Sequence, residues 1–325
     1  MHRSRRVFLA LLAGVAVTAV IVTLWPSATG RSSVGPVGGR ASTTSVPAST
    51  TTAPNPPPPY AVADLTFTFT DASRPTPDRG DVPGHPGRTL VTVIRRPIGV
   101  RGPLPVIVFA HGWDSSPAAY ETLLDTWAAA GYLVAAPTFP DSASTLPGDP
   151  ISNYPEQALD MSFVITQLLS GSAGPVNPAE IAVAGHSDGG TDIALLALNP
   201  VYADPRIRAY LSLSGEIPEG VAGTWSAPTR GALFVAVGTD DEYGLYPRAQ
   251  QVFASADMPK VFVTLAGGDH LGTFLGDTSG AAAMRDETLT FLSSALASRR
   301  VTSAQLAAAL ASPAGRDAGI AVTAG

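Results

Sequence analysis

Residues 181–190 read IAVAGHSDGG and run at once into an alanine- and leucine-rich stretch ending at Leu198. Four apolar residues suit a buried strand, the later run suits a helix, and G-x-S-x-G between them allows only a sharp turn. Gly185 and Gly189 let the backbone double back where a Cβ would clash, so Ser187 is expected at a strained corner. That corner adjoins a helix N-terminus, which favours developing negative charge.

The flanking pattern extends this unit into a sheet. Residues 63–70 and 89–95 alternate apolar and polar side chains, as half-exposed antiparallel edge strands do. From residue 105 the strands change character. PVIVFA at 105–110 is a continuous apolar run suited to a central strand buried on both faces. Further strands are predicted at 132–136, 181–185, 207–213, 232–237 and 261–265. Helices are predicted at 117–130, 155–169, 188–198, 246–255 and 281–297. Strands alternating with helices imply an α/β class with a mostly parallel, doubly wound sheet, whose reactive loops gather at the strand C-terminal ends.

Both ends of the chain differ from this middle. Arg3, Arg5 and Arg6 precede an uncharged stretch from residue 7 to residue 25, the pattern of an export signal or a signal anchor. At 19 residues it is long for a cleaved signal and close to a bilayer span, so the reading leans to an anchor over residues 1–25. Residues 26–59 hold eight prolines and twelve Ser or Thr with no acidic or aromatic residue, the composition of a disordered spacer. Residues 60–298 are expected to form the catalytic domain, and residues 299–325 a loosely attached tail. The protein is thus expected to be extracytoplasmic, secreted or held by residues 7–25, and to meet a membrane only through that segment.

Beyond residue 59 the chain carries 15 basic and 26 acidic residues, a balance of −11, which argues against nucleic acid as a partner. With no cysteine, disulfides, zinc-thiolate sites and cysteine nucleophiles are excluded.

A serine hydroxyl needs a base within hydrogen-bond reach and an acid to orient that base. Of five histidines only His270 lies downstream of Ser187, in a GGDH loop directly after a predicted strand. His111 reads as a residue packed beneath the site, and His85 as a solvated loop residue. The orienting acid should close a strand between Ser187 and His270. Asp240, Asp241 and Glu242 do so; Asp241 is favoured, with Asp240 as the alternative. The order Ser187, Asp241, His270 is that of the α/β-hydrolase fold. Oxyanion donors are expected from the backbone N–H groups of Trp113, after the close-approach residue Gly112, and of Asp188. The scheme calls for no metal or cofactor.

Across residues 60–298 the chain resembles the α/β-hydrolase superfamily. The segments at 106–113, 131–140 (GYLVAAPTFP), 185–190 (GHSDGG) and 267–270 resemble compact bacterial carboxylesterases related to the platelet-activating-factor acetylhydrolase, chlorophyllase and polyester-hydrolase groups. The resemblance implies carboxylic ester hydrolysis by the triad above. Only residues 214–231 lie where many relatives insert a cap, too few for a cap domain. An open site is therefore expected, with Trp113, Tyr243, Trp225 and the 138–154 loop as walls. Polyester hydrolysis is a second expectation, although such enzymes usually have methionine after the nucleophile and a C-terminal disulfide, where this chain has Asp188 and no cysteine. Amidase or peptidase activity on the same triad, and a non-catalytic surface binding module on the same fold, also fit the residues.

Overall fold

The computed structural model describes residues 59–225, 230–298, 300–310 and 312–325. The export segment at 1–25 and all but the last residue of the 26–59 spacer lie outside the described residues. Among the described residues, no helix is long and apolar enough to cross a membrane.

Among the described residues one mixed sheet of nine strands organises the fold, in the order β1-β2-β4-β3-β5-β6-β7-β8-β9. Its centre is parallel: β3 (Leu104–Ala110), β4 (Leu133–Thr138), β5 (Val176–His186), β6 (Ala209–Leu213), β7 (Ala232–Gly238) and β8 (Lys260–Leu265). β1 (Val62–Asp71) and β2 (Arg88–Pro97) add an antiparallel ribbon at one edge, where the alternation in the sequence places them.

The pleat sorts the apolar runs into two cores. Val106 and Val108 of β3, Val183 of β5, and Leu233 and Val235 of β7 face α2 (Tyr154–Leu169), α3 (Asp188–Leu198) and α4 (Leu245–Ser255). The intervening Ile107, Phe109, Ala182, Ala184 and Phe234 face α1 (Glu121–Ala129) and α6 (Ser279–Ala297). Strands covered on both faces must be apolar at every position, which is why these runs do not alternate.

The C-terminal segment departs from expectation. Of residues 299–325, read as a loose tail, the described stretches 300–310 and 312–325 pack on the domain. α7 (Ser303–Leu310) buries Leu306 and Leu310 in the second core, and α8 (Pro313–Asp317) leads to β9 (Ile320–Ala324), paired antiparallel with β8. The physical reason is edge satisfaction. Without β9 the outer side of β8 would present a row of unpaired backbone groups.

Candidate active site

β5 ends at His186 and α3 starts at Asp188, so Ser187 alone makes the turn, with φ 59° and ψ −122°. A non-glycine residue at positive φ is uncommon and costs about 1–3 kcal/mol, which its surroundings must offset. Here Ser187 N–H donates to Leu213 O at 2.9 Å, and Thr191 N–H donates to Ser187 O at 3.0 Å. The turn is also crowded: a Cβ on Gly185 would overlap the Gly189 carbonyl, and one on Gly189 would overlap that of Ala110. Both glycines are required by close approach rather than by their own φ.

His270 follows β8 and Asp241 follows β7, neighbouring strands whose C-terminal ends bring the two loops together. His270 Nδ1 lies 2.8 Å from Asp241 Oδ2, and both residues are buried. A carboxylate only accepts, so the ring proton sits on Nδ1 and Nε2 is left as the acceptor. Asp241 Oδ1 accepts from Tyr243 N–H at 3.1 Å, and Glu242 accepts from His270 N–H at 3.0 Å. Asp240 is exposed and accepts instead from Thr239 Oγ1, so of the two candidate acids Asp241 meets the histidine. Ser187 Oγ makes no hydrogen bond to a protein group among the described residues, and in apo sites such bonds are often long until substrate arrives.

His186 lies directly beneath. Its Nε2–H donates to the His270 carbonyl at 2.9 Å, while Nδ1 accepts from Tyr120 OH at 3.1 Å. Burial, with the neighbouring His270 ring, holds its pKa down to about 3. Neither the Tyr120 nor the His186 contact is visible in the sequence, because a 66-residue separation hides their pairing.

The other arm of the site follows β3. A Cβ on Gly112 would come 3.2 Å from Ser187 Cβ, so this loop lies against the turn serine. Gly112 N–H donates to Tyr120 OH at 3.1 Å, and the next N–H, of Trp113, has no acceptor among the described residues. The Asp188 N–H belongs to the first turn of α3, where no intrahelical acceptor exists. Neither expected donor N–H has an acceptor among the described residues. His111 is fully buried and accepts from Phe139 N–H through Nε2, and burial lowers its pKa to about 4. It is packing beneath the site.

The expected walls divide. Trp113 is 52% exposed and Tyr243 69% exposed, with the Tyr243 ring 4.7 Å from the His270 ring. Leu271 and Ile151 add exposed apolar surface nearby. Trp225 packs, partly buried, against the core that faces α2–α4. Asn199, just past the far end of α3, donates to Ala222 O at 3.1 Å, which ties that part of the β6–β7 connection to the end of the helix away from Ser187. That connection contains no helix or strand among the described residues.

A family model described as Chlorophyllase matches residues 81–224, a span that contains Ser187 and Trp113 and ends before Asp241 and His270. Among solved structures, a protein assigned as a dienelactone hydrolase from Klebsiella pneumoniae is 15% identical with a TM-score of 0.51, over 70% of this chain and 98% of that one. No curated protein matches the chain. In all, 957 solved chains match, so the scaffold is widely shared and does not by itself decide a substrate.

Proposed function

We propose that this chain, which has the fold of the α/β hydrolases, is an exported serine hydrolase of carboxylic esters. The observation that carries this reading is the buried His270–Asp241 pair at 2.8 Å, tied through His186 to the strand end that presents Ser187. Ser187 Oγ attacks the acyl carbonyl and passes its proton to His270 Nε2, while Asp241 holds the imidazolium that forms. The N–H groups of Trp113 and Asp188 receive the oxyanion. His270 then protonates the departing alcohol, and water, deprotonated by the same ring, releases the acid from Ser187.

The open mouth with Trp113, Tyr243 and Leu271 suits short acyl esters, and these exposed apolar side chains also favour a second reading, action at a polyester surface. Export rests on Arg3, Arg5 and Arg6 before the uncharged 7–25 stretch, and fractionation of cells producing the full chain tests it.

Turnover of p-nitrophenyl esters from two to sixteen carbons, beside Ser187→Ala, tests the chemistry. A rate that peaks at short chains and vanishes in the variant, with Ser187 labelled by an organophosphate, is expected. Unchanged activity in Ser187→Ala would sink the reading.

A further inference from the structure

Asp188 brings a carboxylate to the mouth of the site from the residue next to Ser187. It is half-buried, and its oxygens accept from Ser152 Oγ and from Tyr154 OH at 3.2 Å. Both donors are neutral hydroxyls, which orient a carboxylate without cancelling its charge. Among the described residues no Lys or Arg pairs with it; Arg248, the cation on this side, is bound to Glu216. Asp188 follows Ser187 directly at the start of α3, which sets its carboxylate beside the turn that carries the nucleophile, and burial holds its pKa above the usual carboxylate value.

The loop that clamps Asp188 is itself held, so the charge cannot swing away. Trp113 Nε1 donates to Pro150 O at 3.3 Å, and Ser144 N–H donates to Ser115 O at 2.9 Å. The loop thus spans from one proposed oxyanion arm to the other. Around His270 the same sign prevails: Asp240, Glu242 and Asp269 accept from a threonine hydroxyl and two backbone N–H groups, and none has a cationic partner among the described residues.

We propose that Asp188, fixed by Ser152 and Tyr154, is a specificity determinant: it makes the site accept esters whose groups beside the scissile bond are neutral or cationic, and reject those bearing a carboxylate there. This rests on the serine-hydrolase reading above. Two like charges about 6 Å apart at a half-buried site repel enough to lower kcat/KM by about tenfold to a hundredfold.

The test compares three p-nitrophenyl esters of similar length at pH 8 and low salt: the butyrate, the glutarate monoester with its free carboxylate, and the 4-(trimethylammonio)butyrate. The full chain should favour the neutral over the anionic ester by about tenfold or more. Asp188→Asn should shrink that ratio at least fivefold and lower the cationic-to-neutral ratio. A merely structural defect would depress all three rates together and leave the ratios alone. In the unmodified protein the neutral-to-anionic ratio should also shrink as salt is raised from about 10 mM to 1 M, through screening. Ratios indifferent to both the substitution and salt would overturn the inference while leaving the esterase reading intact. Absence of any Ser187-dependent turnover would remove that reading, and this inference with it.

Discussion

His186 donates from Nε2 to the main-chain carbonyl of His270 across 2.9 Å, and the direction is fixed because a carbonyl can only accept. Its Nδ1 must then accept from Tyr120, whose hydroxyl in turn receives the Gly112 N–H. One line of hydrogen bonds therefore joins the arm preceding Trp113 to the loop that carries His270. Through it, both halves of the site are held on a single buried scaffold.

Removing the middle of that line should loosen the base without touching it. Tyr120→Phe keeps the ring packing and deletes two hydrogen bonds, each worth about 1 kcal/mol net. The expected outcome is a fall in kcat of about tenfold for a short-chain ester with KM little changed, alongside a small drop in Tm. An equal rise in KM with kcat intact would instead assign Tyr120 to substrate binding.

The acidic cluster after β7 offers a sharper contrast. Asp241→Asn should lower kcat by about 10³–10⁴, because the amide no longer enforces the Nδ1–H tautomer or supports the imidazolium. Asp240→Asn, which alters an exposed side chain bonded to Thr239, should stay within about twofold. Steady-state kinetics on the two variants, with circular dichroism to confirm folding, decides between the acids.

Much of this arrangement is legible in the sequence because its signals are local. Residues 181–198 announce strand, corner and helix within a single window, and the apolar runs of β3 and β7 show burial on both faces without any partner in view. What stays hidden depends on distant chain. β9 is five residues long, and only the open edge of β8 turns its IAVTA into a strand. β5 starts at Val176, five residues before its apolar run, where Pro178 and Glu180 carry no strand signal.

A buried ion network should prove as sensitive as the site itself. Arg88 is fully buried, its guanidinium bonded to Asp160 at 2.6 and 2.8 Å and to Asp141 at 2.9 and 3.2 Å; Arg74 also reaches Asp160. Asp141 belongs to the same 138–154 loop that clamps Asp188. Arg88→Met would strand the buried Asp141 and leave Asp160 with Arg74 alone, and breaking a buried pair in this way typically costs about 3–5 kcal/mol. Urea unfolding should show that loss. A cost under about 1 kcal/mol would mean the carboxylates escape to water or take up protons at little expense.

Stability should also depend on pH through Glu287 on α6. Its side chain is buried against α8, accepting from Ser312 Oγ at 3.3 Å, and burial, with Asp286 nearby, pushes its pKa up to about 7 from an ordinary 4.5. An acid with a raised folded pKa binds more protons when folded than when unfolded between those two values, so stability falls as pH rises from about 4.5 to about 7 and then levels off. The full shift sets an upper bound, and relaxation at the α6–α8 contact reduces the loss to about 1–2 kcal/mol. Glu287→Gln keeps the shape and cannot ionise, so it should be more stable than the parent at pH 8 and no more stable at pH 4. Urea denaturation of both proteins at pH 4, 6 and 8 gives the three differences directly. If they are equal, Glu287 takes up its proton in the fold as it does in the unfolded chain, and the docking of α8 and β9 owes nothing to its protonation.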